Sequence, residues 1–552
     1  MKKDFLTWVL IIFIIIIGVY LAIKATNENS WDGWGFGSAQ TMMSLKHWVN
    51  DGWANHYFLF IPAGYSKTTH YFDDPNLKQH GWVDVTGNKN EKQAYYTHYP
   101  SGYLFPHGFL MEIGFKNRFW FRLFQILISL TGLFLLYKFF ISITDKTIAF
   151  SAVLFYMISI PFLNFADSLA NMPIDDFLRF LILLLSILAI KNMNDAKKYA
   201  IYNIWIWISY FILSASSYDS TFFIFFWLIG LDVLIVKHFL WKKWLIFASA
   251  PILAFSIQIL QNSWYLGFPG MLSDFFGAFN AISISSSQNS LKQHFFQGVL
   301  FPITEAFAFS FRLRYTLISI IVIFLTLFKL KKNKNINNLI PNAYKYAMLL
   351  GGAGFFQALI LTDNHPYKGR LLGILTAFLS GIFIFAIYRL IKNKSTHRIF
   401  ILILIFLSVF IWSLQAKRTF AYIRQWPNNT YSKEKIDFAN ELRSSLNSFI
   451  SKDAVMFTMF APESYGESIT PTMARYYDMY YHNMPILYFD NPKDIIRDFT
   501  YLKQISKYPF SAVIITPDKE EAENLLNLLK QNSEKLPSKI MKIQNKTILI
   551  IP

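Results

Sequence analysis

Apolar runs of roughly 18 residues recur along this chain, the length that the hydrocarbon core of a bilayer demands of a helix. The first is Phe5–Ile23. Ten more follow at Phe119–Ile141, Ile148–Phe165, Ile174–Ile190, Ala200–Leu213, Thr221–Val236, Trp244–Gln261, Leu313–Phe328, Tyr346–Leu361, Leu371–Tyr388 and Ile399–Leu414. Of 552 residues, 54% are hydrophobic and only 16% charged, with 57 phenylalanines, whereas a soluble domain carries about 25% charged residues. The expected class is a polytopic α-helical membrane protein with about eleven transmembrane helices. The first run follows "MKKD" as a signal peptide would, but it is long and no small-residue cleavage site follows it. It is therefore expected to stay as an anchor.

Lysine and arginine then set the sides, because short cytoplasmic loops are enriched in them. With the amino terminus inside, the inner loops include "KNMNDAKK", "KHFLWKK", "KLKKNKN" and "RLIKNKSTHR". The short outer loops are "NFADSLANMP", "SASSYDS" and "TDNHPYKGR", of which only the last contains lysine or arginine. Span parity and charge bias agree on a chain that starts inside and finishes outside. Much of the net charge of +18 lies in the short loops, which argues against nucleic acid as a partner. The chain has no cysteine, so disulfides and thiolate metal sites are excluded.

This topology collects the acids at span ends on the outer face: Asp32, Asp167, Asp219 and Asp363, with His365 beside the last. Two long loops, 24–118 and 262–312, lie on the same side. Residues 1–416 are thus expected to form the transmembrane domain. After Leu414 the composition becomes that of a soluble protein, and 417–552 is expected to be an extracytoplasmic α/β domain. There "SKEKIDFANELRSSLNSFI" and "KEEAENLLNLLKQN" read as amphipathic helices, and "DAVMFTMF", "MPILYFD" and "SAVIITPD" as buried strands. That domain shows no glycine-rich phosphate loop and no clustered metal-ligand spacing.

The first long loop closes with "THYPSGYLFPHGFLMEIGFKNRFWFRLF". Tyr99, Pro100 and Tyr103, then Gly114 and Asn117, then Arg122 entering the second span, resemble the stretch that closes the first outer loop of GT-C superfamily glycosyltransferases. The similar branch contains protein O-mannosyltransferases and the lipid A aminoarabinose transferase. The resemblance extends in architecture from Phe5 to about Tyr388. It implies transfer of a sugar from a polyprenyl-phosphate donor to an extracytoplasmic acceptor, with inversion at the anomeric carbon. It also implies an essential aspartate a few residues after the first span, where Asp32 stands in "NENSWDGWGFGSAQTM".

Two departures from the family pattern stand out. Gly33 follows Asp32 where many members have a second acid, and Asn171 in "NMP" replaces the aspartate of an Asp-x-Pro element. Asp167 and Asp175 flank Asn171, and with Pro173 in the first helical turn Asp167 falls in the loop. Asp167 is therefore the candidate second catalytic acid. No metal ligands are assigned, and use of a divalent metal ion is left open.

The implied chemistry needs a carboxylate to take or orient the acceptor's proton and cations to stabilise the departing phosphate. Asp32 is the candidate carboxylate; read locally it is equally a solvated or helix-capping acid among interfacial tryptophans. His365, Lys368 and Arg370 in "LTDNHPYKGRLLG" are candidate phosphate contacts, or else meet anionic lipid headgroups. His98, Tyr103 and Arg122 are candidate substrate contacts, and Arg122 is expected to pair with Asp32 or another outer acid. Asp219 reads as a helix cap. Trp31, Trp34 and Trp53 are the tryptophans to consider for sugar stacking.

The expected partners are the lipid-linked donor, the acceptor and membrane lipids, in the inner (plasma) membrane of a bacterium. The main rival is a transporter or flippase of lipid-linked glycans. It would place ionisable residues near the midplane and repeat its halves, and neither feature is visible here. A polymerase or ligase of surface glycans would share the donor but lack the aspartate after the first span, and a sensor would need a signalling module inside.

Overall fold

The structure, a computed structural model, describes residues 5–27, 30–32, 35–61, 95–97, 99–237, 241–282, 339–360, 369–392, isolated positions of 401–423, 431–446, 449–450, 453–458, 471–489, 491–506, 509–532 and 538–552. These fall into two compact units. The first comprises Met1–Thr26, Tyr99–Tyr103 and Phe119–Trp426; the second comprises Asn27–His98, Leu104–Arg118 and Pro427–Pro552.

The first unit is helical. It contains α1 (Phe5–Thr26), and α4 (Arg118–Ile143) from its second residue; α2 (Gly35–Asp51) and α3 (Leu104–Glu112) belong to the other unit. There follow α5 (Lys146–Met157), α6 (Ile160–Phe165), α7 (Met172–Lys191), α8 (Ala196–Ser214), α9 (Tyr218–Gly230), α10 (Trp241–Ile282), α11 (Leu339–Ile360) and α12 (Gly369–Lys392). Among the described residues, four stretches are long and apolar enough to cross a membrane: Phe5–Thr26, Arg118–Ile143, Tyr218–Val236 and Trp241–Gly277. The expected spans on continuously described residues lie on helices, Ile148–Phe165 with a break at Ile158–Ser159. Leu313–Phe328 lies outside the described residues, and Ile399–Leu414 is described only at isolated positions.

Local sequence sets the ends. Ser159 accepts from the backbone N–H of Phe162 and Pro161 sits in the first turn, so a new helix begins and the expected span Ile148–Phe165 is broken into α5 and α6. Helix α10 runs on past Gln261, where an outer loop was expected; its break comes at Gly267, whose φ of 72° only glycine adopts without strain, two residues before Pro269.

The second unit contains α2 (Gly35–Asp51), α3 (Leu104–Glu112) and an α/β layer structure. Its helices are α13 (Lys433–Leu446), α14 (Pro471–His482), α15 (Pro492–Ile505) and α16 (Lys519–Asn532). The strands are β1 (Ala454–Thr458), β2 (Ile486–Tyr488), β3 (Ser511–Thr516), β4 (Lys539–Ile543) and β5 (Lys546–Ile551), in the order β2-β1-β3-β5-β4. The first three are parallel, and β5 and β4 add antiparallel. Both sheet faces are covered, which is why β1 and β3 read as unbroken apolar runs. One face packs Val455, Phe457 and Ile514 against Ile495, Phe499 and Leu525. The other packs Met456, Val513 and Ile548 against Phe438 and Leu442, and against Met43 of α2. Helix α2 thus packs onto a domain almost 400 residues later in the chain.

Candidate functional site

In the first unit the motif Tyr99–Tyr103 docks on the loop between α8 and α9. The Gly102 N–H donates to Ala215 O at 2.9 Å, and a Cβ at Gly102 would stand 2.3 Å from that oxygen. The Tyr99 hydroxyl donates to Ser217 Oγ at 3.2 Å and accepts from Asn171 Nδ2 at 2.8 Å. The same Nδ2 reaches Asp175 Oδ2 at 2.7 Å. An ionised aspartate only accepts, so an amide at position 171 supplies donors to a tyrosine and a carboxylate that a second acid would lack. Burial first, and then the charges of Asp175 and Asp219, push the Tyr99 phenol well above its ordinary range. Tyr103, at the end of the motif, is buried.

Asp167 lies in the turn after α6 and is fully buried, with Lys24 from the end of α1 and Arg122 from the first turns of α4. Lys24 Nζ donates to Oδ1 at 3.1 Å, and Arg122 donates to Oδ2 through Nε at 3.1 Å and through Nη2. Arg122 therefore pairs with Asp167. Burial raises the carboxyl's pKa, but Lys24 and Arg122 outweigh it and hold the group below the usual carboxylate value. Two cations thus share this carboxylate. Lys24 was not among the expected site residues, because a lysine ending an apolar run reads as a span boundary. Asp176 and Arg179 were also missed. Arg179 pairs with Asp176, which accepts from the Tyr156 hydroxyl at 3.1 Å, and the rings of Phe180 and Phe223 stand 5.6 Å from its guanidinium.

Asp219 does not cap α9. Ser217 accepts from Ser220 N–H as the cap, and Asp219, in the first turn, accepts from Gln357 Nε2 at 3.2 Å. The preceding serine takes the capping position because it leaves the chain extended just before the helix.

In the second unit Asp32 is 8% exposed and accepts from the Ser38 hydroxyl at 2.5 Å, three residues ahead of the start of α2. Trp31 beside it is not open for stacking on a sugar. The Arg118 guanidinium lies 3.8 Å from its ring centre, and Tyr477 and Tyr480 flank it at 5.1 and 5.2 Å. Arg118 also donates to Ser30 O at 3.1 Å. Trp53 packs on Trp48 at 5.2 Å and on Phe105 at 5.7 Å, and donates to Glu112. Trp34, His98, Asp363, His365 and Lys368 lie outside the described residues, and Arg370 is described only as backbone in the first turn of α12.

The α/β layer, silent in sequence, holds a cavity of about 150 Å³ lined by Tyr431, Lys435, Thr458, Asp478, His482 and Lys546, among others. Asp478 accepts from the Tyr431 and Tyr488 hydroxyls, and burial raises its pKa. Burial, with Lys546, Arg443 and Lys435 nearby, pushes His482 down to about 3. Among the described residues, the grouping of side chains able to hold a metal ion is His47, Asp51 and His56.

No family model matches the sequence, and no curated relative does. Solved structures match in fold. The chain is similar to ArnT from Cupriavidus metallidurans bound to undecaprenyl phosphate, with a TM-score of 0.55 at 10% identity, over 100% of this chain and 98% of that one. An oligosaccharyltransferase from Archaeoglobus fulgidus in the apo form matches at a TM-score of 0.48 and 10% identity, over 98% of this chain and 73% of its own. The likeness to ArnT is one of fold.

Proposed function

We propose that this chain is an inverting glycosyltransferase that moves a sugar from a polyprenyl-phosphate donor to an acceptor outside the cytoplasm. The supporting observation is the end-to-end fold likeness to ArnT bound to undecaprenyl phosphate. In this reading the chain crosses the inner membrane about eleven times, and its second unit is extracytoplasmic.

Asp32 takes the proton of the acceptor hydroxyl as that oxygen attacks the anomeric carbon. The bond from that carbon to the phosphate oxygen breaks on the opposite face, and the electron pair leaves with the lipid phosphate. Ser38, whose hydroxyl donates to one carboxylate oxygen, helps orient Asp32. Within the helical unit, Arg122 and Lys24 are the cations proposed to meet a phosphate. Asp167 acts by holding the two cations, as a positioning residue rather than a base, since both its oxygens are engaged. His98, Tyr103, His365, Lys368 and Arg370 complete the substrate contacts. Acceptor and sugar are left as classes: a lipid, glycan or protein, and a hexose or pentose.

The test is release of free polyprenyl phosphate from a labelled sugar-carrier pool, with cell-envelope extract as acceptor. Asp32→Asn is expected to abolish release at equal membrane insertion, because the amide oxygen still accepts from Ser38 but takes no proton. Equal release by the variant would remove Asp32 from the chemistry.

A further inference from the structure

We propose that His47, Asp51 and His56 form a divalent-cation site, with Zn²⁺ as the fitting ion. His47 and Asp51 are four residues apart on the last turn of α2 and so share one face. Gly52, at a φ of 94°, ends that helix, and a single 3₁₀ turn, Trp53–His56, folds the chain back. Tyr57 and Phe58 follow in the left-handed region at φ of 53° and 55°, a strained conformation for such residues. The reversal sets His56 against Asp51.

One carboxylate oxygen, Asp51 Oδ2, then lies between two imidazole nitrogens. His47 Nδ1 stands 3.2 Å from it and His56 Nε2 3.1 Å. All three donor atoms lie within 4.8 Å of one another. Zinc bonds to nitrogen and oxygen of about 2.0–2.2 Å put tetrahedral donors about 3.3 Å apart; the two imidazole–carboxylate spacings match that figure, and a small rotation of the partly exposed His47 ring closes the two imidazoles on one ion. Two imidazoles and a carboxylate without thiolate suit Zn²⁺ and its neighbours rather than Mg²⁺ or Ca²⁺.

A second layer supports the set. Tyr95 Oη lies 3.0 Å from His56 Nδ1, so with metal on Nε2 the ring donates its Nδ1–H to the tyrosine and is held in one tautomer. The His56 side chain is 1% exposed, whereas those of His47 and Asp51 are 28% and 47% exposed. The site thus opens to solvent on one side, where a water would complete three protein ligands to four. The competing arrangement is a metal-free triad in which both histidines donate to Asp51 and Tyr95 donates to His56 Nδ1.

The experiment uses the full-length protein in detergent, stripped with EDTA and exchanged into chelator-free buffer. Zn²⁺ is titrated in competition with a chromophoric chelator, and bound metal is measured after desalting. One Zn²⁺ per chain is expected for the wild type and none for His47→Ala, whose partly exposed side chain can be removed with the fold intact. Tyr95→Phe is expected to bind about 10–100-fold more weakly, as a residue behind the ligand should. The wild-type melting temperature should rise on adding Zn²⁺, and that of His47→Ala should not. Asp32→Asn should take up zinc as the wild type does, which separates this site from the transfer chemistry. Failure of the wild type to bind, or equal binding by His47→Ala, would overturn the proposal in favour of the hydrogen-bonded triad.

Discussion

Removing the charge of Asp167 should damage the helical unit far more than removing that of Lys24. Lys24 Nζ lies 3.1 Å from Asp167 Oδ1, an attraction of about 5 kcal/mol at an effective dielectric constant of about 20. Lys24→Met gives up that attraction but also spares the burial of an ammonium, itself several kcal/mol, and leaves Asp167 paired one to one with Arg122. The two large contributions nearly cancel, for a net loss of about 1–2 kcal/mol. Asp167→Asn leaves two buried cations without the carboxylate they share, a loss of about 3–5 kcal/mol. Thermal unfolding of the detergent-solubilised protein, followed by tryptophan fluorescence, gives the ranking. Asp167's depressed pKa adds a pH signature. Its stabilisation is complete above the unfolded value of about 3.9 and is lost as pH falls through the lower folded value. Acid should therefore erode the wild type toward Asp167→Asn. A Lys24→Met protein as unstable as Asp167→Asn, or an Asp167→Asn protein as stable as the wild type, would refute the charge accounting.

Gly102→Ala should lower polyprenyl-phosphate release without affecting insertion, because the new Cβ meets Ala215 O at 2.3 Å and overpacking of that kind costs about 1–3 kcal/mol. Trp31→Ala should cost about 3–5 kcal/mol and raise proteolysis of residues 30–61; unchanged cutting would mean that the ring does not anchor the loop. His482 is held neutral down to about 3, while an unfolded histidine takes up its proton near 6.5, so the α/β layer should lose about 2 kcal/mol on acidification to pH 5. Hydrogen exchange of the β1–β3 amides in the full-length protein reads that loss, and His482→Leu should flatten it.

The helices were legible because hydropathy over a span is a summed property that survives local irregularity. Helix α16 coincides with the amphipathic run at Lys519–Asn532 for the same reason. The β4–β5 hairpin was not foreseen: its turn passes through Gln544 at a φ of 50°, and the turn-favouring asparagine stands one position later, at Asn545, with no glycine beside it. At the site, Tyr99, Pro100 and Tyr103 were visible as a motif, but what they dock on was not, since Ala215 and Ser217 lie more than 100 residues away. The sharing of Asp167 between Lys24 and Arg122 was hidden similarly, as three charges on three separate span ends. His47, Asp51 and His56 stood within ten residues, yet only the reversal after Gly52 brings the second histidine onto the face of the first.

Helix α2 packs on the sheet through Met43, and Trp31 is embedded in tyrosines of α14. This has a consequence for how the chain is made. Synthesis delivers about 5–20 residues per second, so α2 leaves the ribosome tens of seconds before its partners in α14 and the sheet exist. During that interval Trp31, Met43 and their neighbours lack their burial sites. The segment following α1 must therefore wait, folded only locally, until α14 and the sheet have been made. A ribosome that stalls within the later helices would leave this surface bare, a target for chaperones and proteases.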